Sequence, residues 1–418
     1  MPVASPLSGI THWRRVVLAI WIALFATQFG IGFANPFFPL FLQRDLGVRD
    51  PRELAVWSGL AAGGSGIVAF FVLPLWGVVA DRYGRKPMVL RAMLGIGTLT
   101  VVSGLVVNAV ELVAARMVMG ATVGVNTFGT AMVADAAPRA RIGWALGMTS
   151  SARSLGQAVG PIVGGVLATL LPLRIVFALG GLLVLTMSIP TVVLLREAPI
   201  AGGDRSHVGV RQVLRAAGPR TTLSLLVVIV CQSLAWFAYV GAQPLVVLRI
   251  LQISPGGTAF ATGLTFAALG VATAIAAVTY SGLLPRLGFR LLAALSCCVM
   301  TAGLVGLAMA PSVAWLLFAT AFVGLTFGAL NPTLTSMLGL EAPSAIKASV
   351  FGVGASFVAL GSGAGPILGG FAAGALGVRA GLMALALVPL VAALIVWWKG
   401  REPNLAEVQR TQSPSIGS

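Results

Sequence analysis

Charged side chains are scarce in this chain of 418 residues, because Asp, Glu, Lys and Arg together make up only 9% of it. A soluble globular domain typically carries ~25% of such residues. Apolar residues make up 58%, and the mean hydropathy is +0.98. This composition excludes an ordinary soluble fold, and its continuous apolar runs have the length of transmembrane helices, about 20 residues.

Histidine and cysteine are nearly absent, with two and three copies. His12 and His207 lie in polar segments, whereas Cys231, Cys297 and Cys298 fall within apolar runs. No pair has the spacing of metal ligands, so we expect no metal site and no cofactor. A membrane enzyme is disfavoured as well, because it needs paired carboxylates, a Ser/His/Asp set or metal ligands near the spans.

The net charge of +16 is distributed in a way that indicates a membrane protein and no nucleic-acid partner. Lysine and arginine lie mainly between the apolar runs. With both termini placed inside, the inner segments hold 19 of them and the outer segments 6. This bias follows the positive-inside rule. We therefore predict a multi-pass protein of the cell (inner) membrane with both termini cytoplasmic and the lipid bilayer as its environment.

Twelve apolar spans can be placed along the chain, and they predict an all-α integral membrane protein with two pseudo-symmetric six-helix bundles. The predicted organisation is a bundle at 1–195, a cytoplasmic linker at 196–219, a second bundle at 220–400 and a cytoplasmic tail at 401–418. We expect a monomer. The spans lie approximately at 14–42, 55–80, 88–107, 110–132, 144–169, 174–195, 220–250, 259–284, 290–310, 313–338, 348–372 and 378–399.

A pattern of glycines and one proline occurs twice, on the fifth and eleventh spans. Small residues let membrane helices approach closely, and a proline permits a bend. Equivalent helices in two halves indicate a duplicated transporter, although close packing without a gating role remains an alternative. The first copy consists of Gly147, Gly156, Gly160, Pro161, Gly164 and Gly165, and the second runs from Gly352 to Gly370, 205 residues later.

The loop after the second span has the order Gly-x3-Asp-Arg-x-Gly-Arg-Lys, formed by Gly77, Asp81, Arg82, Gly84, Arg85 and Lys86. This loop resembles the cytoplasmic loop motif of the major facilitator superfamily, and together with the twelve spans the resemblance covers nearly the whole chain. It implies that the charged residues of the loop latch the outward-facing state. Asp135, at the inner end of the fourth span, is a candidate partner for the arginines.

The glycine pattern on the fifth span resembles the motif of the drug:proton antiporter branch of that superfamily. Arg116 lies in a stretch that resembles the branch's motif on the fourth span. Shorter stretches, one of them at Asn35, are similar to MdtG-type multidrug efflux transporters. The resemblance implies alternating-access export of drugs or other small amphipathic compounds, coupled to protons. Uptake or facilitated transport of a small metabolite or organic anion is the alternative.

The resemblance also implies a central cavity lined chiefly by spans one, four, seven and ten. On span seven, the positions of Gln232, Trp236, Tyr239 and Gln243 fall on one helix face. Each amide could instead bond a neighbouring helix, and Arg116 could snorkel to the surface. Arg153 could attract an anionic substrate group. The other candidate cavity residues are Gln28, Asn35, Arg116, Asn126 and Asn331.

None of the eleven acidic residues lies at mid-span, although many relatives carry an acid on span one. Three options for the coupling therefore remain open: Asp81 or Asp135 titrates at the inner end, Glu111 titrates near Arg116 at the outer end, or the substrate's own charge provides the coupling. An adjacent arginine opposes protonation of a carboxylate. We therefore favour the two inner acids.

Overall fold

A computed structural model describes residues 6–195, 210–343, 346–400 and 402. These residues are almost entirely helical, as their apolar composition predicts. The α-helices are α1 Pro6–Ala34, α2 Phe38–Arg44, α3 Pro51–Tyr83, α4 Arg85–Leu105, α5 Ala109–Thr122, α6 Val125–Ala136, α7 Ile142–Leu170, α8 Leu173–Leu194, α9 Val210–Ile253, α10 Thr258–Ala308, α11 Val313–Glu341, α12 Lys347–Leu376 and α13 Val378–Lys399.

The helices account for all twelve predicted spans. A 3-10 turn at Asn35–Phe37 joins α1 and α2 into the first span, and α5 and α6 together form the fourth. α10 bends at Gly288, where φ is 73°, and so provides spans eight and nine. The predicted all-α membrane fold is confirmed.

Eleven of the twelve segments are long and apolar enough to cross a membrane by composition alone, and α7 is the exception. The first half of α7 carries polar side chains such as Ser150, Arg153 and Gln157. All three line the internal cavity described below. Part of α7 therefore faces the inside of the protein. The polar side chains there lower the mean hydropathy of the helix below that of the other membrane spans.

Two parts of the predicted organisation lie wholly or partly outside the described residues. Positions 196–209 of the predicted linker and positions 401 and 403–418 of the predicted tail are not described, whereas residues 210–219 are helical and begin α9. The boundaries of the linker and tail stay predictions.

The helices pack in two groups that touch along two seams. α1 contacts α7 and α8 in the first group, and α9 contacts α12 and α13 in the second. The seams are formed by α3 with α12 and by α7 with α10. We call the end of the protein that carries Gly84, Gly288 and Lys399 the motif end, and the end that carries Gly47 and Gly377 the opposite end.

Candidate functional site

A cavity of about 780 Å³ lies between the two groups of helices. Residues of α1, α3, α6 and α7 line one side of it, and residues of α9 to α12 line the other. The structure brings together seven of the ten candidate cavity residues, and their role in binding stays a prediction. These seven are Gln28, Asn126, Arg153, Gln232, Trp236, Tyr239 and Asn331.

An aromatic cluster forms the wall of the cavity on α9 and α11. Tyr239 stacks on Phe327 with ring centroids 3.7 Å apart, and Trp236 packs edge-on against Phe327 at 5.0 Å. Aromatic rings give a large apolar surface at little entropic cost, which suits apolar ligands of varied shape. Sequence reasoning missed Phe327, because a single apolar residue on a span carries no signal that distinguishes a cavity wall from the core.

The polar side chains on this wall are hydrogen-bonded to one another, and they also line the cavity. The Trp236 indole N–H donates to Asn331 Oδ1 at 3.1 Å. The Gln232 amide donates to the Thr335 hydroxyl at 3.0 Å and to Asn331 Oδ1 at 3.5 Å. These bonds join α9 to α11, so the helix-bonding role and the cavity role occur together.

Arg153 provides the only charge among the described residues that line the cavity. Its guanidinium donates to Ser150 Oγ at 3.1 Å. Because no carboxylate is part of that lining, this wall has an uncompensated positive charge. Such a charge favours a ligand with an anionic group.

The fourth span is broken where it meets the cavity, which the sequence analysis did not predict. α5 ends at Thr122, Gly124 adopts a φ of 138°, and α6 begins at Val125 without a side-chain cap. Val125 and Asn126 line the cavity. The first N–H groups of a helix lack intrahelical partners and carry partial positive charge. The break therefore adds to the positive potential of this wall.

Two side chains from neighbouring helices hold the carbonyl groups that the break releases. The Trp76 indole N–H donates to the Ala121 carbonyl at 2.8 Å, and the Arg91 guanidinium donates to the Val123 carbonyl at 2.9 Å. The Arg91 guanidinium carbon lies 3.5 Å from the centre of the Trp76 ring. Unwound backbone inside a membrane is stable only when its polar groups find partners, and these contacts supply them.

Small residues join the two groups of helices in the half of the membrane near the opposite end. A Cβ atom on Gly165 would lie 2.7 Å from Gly263 Cα, and one on Gly370 would lie 2.9 Å from Gly59 Cα. The two pairs belong to the two seams, α7 with α10 and α12 with α3. No larger side chain fits at these contacts without moving the backbones apart.

The rest of the first glycine pattern packs α7 against α1. Cβ atoms on Gly156, Gly160 and Gly164 would lie 2.6 to 2.8 Å from carbonyl oxygens of α1. Pro161 lies inside α7, and its carbonyl oxygen faces Gly263 of α10. The pattern thus serves both the packing within one group and the seam between the groups.

The seams are open at the motif end. Within the described part of the chain, Cβ atoms on Gly77, Gly147 or Gly352 would meet no atom of another helix within 4 Å. Gly147 and Gly165 are 18 residues apart, five turns of helix, and therefore lie on the same stripe of α7. The stripe that closes the α7 seam near the opposite end is thus exposed near the motif end, where the cavity opens.

The loop motif lies at this open end. Gly84 adopts a φ of 93°, which permits the turn from α3 to α4. The Arg85 guanidinium and the Asp135 carboxylate form an ion pair at 2.6 Å, which joins the start of α4 to the end of α6. Asp81 and Arg82 are exposed in the last turn of α3.

Comparison with known proteins agrees with this architecture. The sequence model of the Major Facilitator Superfamily matches residues 20–362 and 225–415. The chain belongs to this superfamily. The superfamily membership and the fold predicted from the loop motif and the spans are confirmed.

Two bacterial multidrug resistance proteins resemble this superfamily member over nearly its full length. Multidrug resistance protein MdtG of Serratia proteamaculans is 30% identical over 400 residues, covering 94% of this chain and 96% of the relative. The protein of the same name from Yersinia enterocolitica is 30% identical over 406 residues, covering 96% of both chains.

Solved structures show the same superfamily fold at lower identity. A D-xylose–proton symporter matches with a TM-score of 0.73 and 17% identity, covering 93% of this chain and 98% of that chain. The human organic anion transporter MFSD10 matches with a TM-score of 0.66 and 20% identity, covering 92% and 99%. At this identity the likeness shows the fold alone.

Three candidate residues, Asn35, Arg116 and Gln243, lie outside the cavity lining, in contrast to the expectation. Arg116 is 3% exposed, donates through Nε to the Ala61 carbonyl at 3.1 Å and lies 4.8 Å from the Phe38 ring centre. It therefore binds α3 and α2 and does not snorkel. Asn35 begins the 3-10 turn after α1, and Gln243 lies beyond the end of the cavity towards the opposite end.

Glu111 has a local role at the start of α5. It accepts hydrogen bonds from the Val107 backbone N–H at 2.9 Å and from the Asn108 amide at 2.8 Å, and it is exposed. Arg116, the neighbour expected for Glu111, donates to the Ala61 carbonyl of α3.

Asp45 is a second acidic residue at the opposite end. Burial raises its pKa, whereas the positive charges of Arg174, 3.8 Å away, and Arg44 lower it.

Proposed function

We propose that this protein exports drugs and other small amphipathic compounds across the inner membrane by alternating access, with protons as the coupling ion. The observation that carries the proposal is a cavity with aromatic and amide walls that is closed towards one membrane face and open towards the other. The names of the MdtG relatives support the drug substrates. A cavity of this kind binds a ligand from the open side. When the seams then close at the motif end and open near the opposite end, the ligand is released on the other side of the membrane.

In this proposal the motif end is cytoplasmic, both termini are inside and the chain works as a monomer. The positive-inside bias and the basic loop at the motif end support this orientation. The structure is then the inward-facing state, ready to take a substrate from the cytoplasm or the inner leaflet. The bundles at 1–195 and 220–400 rock about the bound substrate, connected by the linker at 196–219.

Transport of an organic anion is a second candidate, which Arg153 favours. The guanidinium and the uncapped start of α6 face a cavity without a carboxylate in its described lining. An anionic head group would bind near Arg153, and the aromatic cluster of Trp236, Tyr239 and Phe327 would take an apolar body. Net movement in energised cells, with and without an uncoupler, separates export from uptake.

Trp236→Ala should change the pattern of drug susceptibility more than it changes expression. The substitution removes an aromatic surface and the hydrogen bond to Asn331, and losses of about 1–3 kcal/mol correspond to a roughly 5- to 150-fold change in affinity. Susceptibility to a panel of compounds in a strain without its own pumps measures the effect. Trp315→Ala, at an exposed tryptophan of the opposite end, is the control. An unchanged profile for Trp236→Ala across the panel would contradict the assigned cavity.

Asp81→Asn should leave the protein folded and nearly inactive, because the proposed latch needs a charge at the motif end when the seams close there. A contact that differs between two states by a few kcal/mol shifts their populations by about two orders of magnitude. Transport by equally expressed variants measures this, with Glu53→Gln, exposed at the opposite end, as the control. Wild-type rates for Asp81→Asn would exclude the latch.

Proton coupling is tested with the protein in liposomes that contain a pH-sensitive dye. Substrate addition should drive proton flux, and Asp81→Asn or Asp135→Asn should reduce it, whereas Glu111→Gln should not. Sustained substrate movement with silent pH traces would show that the substrate's own charge, and not a proton, provides the coupling.

A further inference from the structure

A groove of about 380 Å³ lies between α9 and α13, separate from the central cavity. The described residues that line it are apolar except for Lys399. Lys399 is the last residue of α13, so the mouth of the groove lies at the motif end. The walls are formed mainly by Leu223, Leu226 and Val230 of α9 and by Val391, Leu394 and Trp398 of α13.

The dimensions and the side chains of the groove suit a lipid tail below a head group. From Trp398 to Val391 the groove follows α13 for seven residues, which is ~10 Å at 1.5 Å per residue. Trp398 is 79% exposed beside Lys399. Tryptophan and lysine at the end of a span are typical of the boundary between the apolar layer and the lipid head groups. The groove therefore extends from that boundary into the apolar layer.

The charge around the mouth favours a lipid of negative charge. α9 has 44 residues, about twice the 20 or so that cross a bilayer, so its first turns extend past the groove at the motif end. Positions 210–220 of the sequence include Arg211, Arg215 and Arg220 and no acidic residue. Basic residues next to a span attract anionic head groups. Lys399, which is exposed and lines the mouth of the groove, supplies a positive charge that is complementary to a phosphate.

We propose that this groove is a binding site for an anionic phospholipid, with one acyl chain between α9 and α13 and the phosphate at Lys399. The site is independent of the transported substrate. The site lies against the outer side of α9, and the same helix presents Gln232 and Trp236 to the central cavity.

Fluorescence quenching in liposomes tests the preference for anionic lipid. Purified protein is placed in phosphatidylcholine vesicles with a fixed fraction of either phosphatidylglycerol or phosphatidylcholine that carries bromine on one acyl chain. The difference between wild type and Trp398→Phe gives the quenching at Trp398. We expect the brominated phosphatidylglycerol to bind roughly fivefold more tightly than the brominated phosphatidylcholine. Lys399→Gln should remove most of that preference. Equal quenching by the two lipids would overturn the proposal and indicate a neutral lipid as the occupant.

A second variant tests the groove without relying on the lysine. Leu394→Trp should fill the groove, and native mass spectrometry should show one bound phosphatidylglycerol fewer than in the wild type. Leu387→Trp is the matched control, since Leu387 lies on the same face of α13, two turns away and outside the groove, and is 61% exposed against 50% for Leu394. Equal lipid retention by the two variants would contradict the site.

Discussion

Replacing Gly165 by leucine should reduce transport at least about tenfold and shift the protein towards the state that is open at the opposite end. Even a Cβ atom at this position would lie 2.7 Å from Gly263 Cα, so the side chain forces α7 and α10 apart. Overpacking of this kind costs about 1–3 kcal/mol, which is roughly a 5- to 150-fold change in population. The substitution acts only on the state in which this seam is closed, because the penalty disappears when the helices separate.

Transport and inter-helix distance should be measured together for Gly165→Leu. Spin labels at Val78 of α3 and Leu283 of α10, both exposed near the motif end, should move closer together than in the wild type. Val166→Leu is the matched control, because Val166 is the next residue and is 42% exposed. Unchanged distances and wild-type transport in Gly165→Leu would show that this seam does not have to close during transport.

Replacing Gly352 by leucine should also reduce transport about tenfold or more, but through the other state. A Cβ atom on Gly352 would meet no described atom of another helix within 4 Å, so the state that is open at the motif end should accept the side chain without loss of stability. Gly352 and Gly370 are 18 residues apart and lie on the same stripe of α12, which closes against α3 at Gly59. When the seam closes at the motif end, the leucine would meet α3, at a cost again of about 1–3 kcal/mol.

The two glycine variants should therefore move the same equilibrium in opposite directions. For Gly352→Leu, thermal stability should match the wild type, and the labels at the motif end should stay apart after substrate is added. Gly256→Leu is the control, because Gly256 also has free space around it but lies in a loop at the opposite end. Normal transport by Gly352→Leu would mean that α12 and α3 do not meet at the motif end.

The fold could be predicted from the sequence because its main signals are local. A continuous apolar run identifies a membrane span wherever its neighbours lie, and the loop with Asp81 and Arg85 has a fixed order of residues. α7, predicted as an apolar span at 144–169, is too polar for a hydropathy criterion, but the spacing of its glycines is a second local signal for the same helix. These features depend on positions along one helix and need no knowledge of the partner helix.

The parts of the site that the sequence did not reveal depend on contacts between helices. Arg116 was expected in the cavity, yet its guanidinium binds the Ala61 carbonyl of α3, and only the packing of the two helices determines that. Phe327 joins the cavity wall because Tyr239 of another helix stacks on it. The break at Gly124 is stable because Arg91 and Trp76 hold the released carbonyl groups. None of these partners is close in sequence.

The most direct test of export by alternating access is the movement of a fluorescent amphipathic compound into inverted inner-membrane vesicles. With the proposed cytoplasmic orientation, the motif end faces the outside of such vesicles, so an exporter concentrates the compound in the lumen when the membrane is energised. We predict uptake by wild type, its loss on addition of an uncoupler, and little uptake by Gly165→Leu or Gly352→Leu. Export would be contradicted if wild type failed to accumulate the compound in inverted vesicles. It would also be contradicted if wild type accumulated the compound in the lumen of right-side-out vesicles.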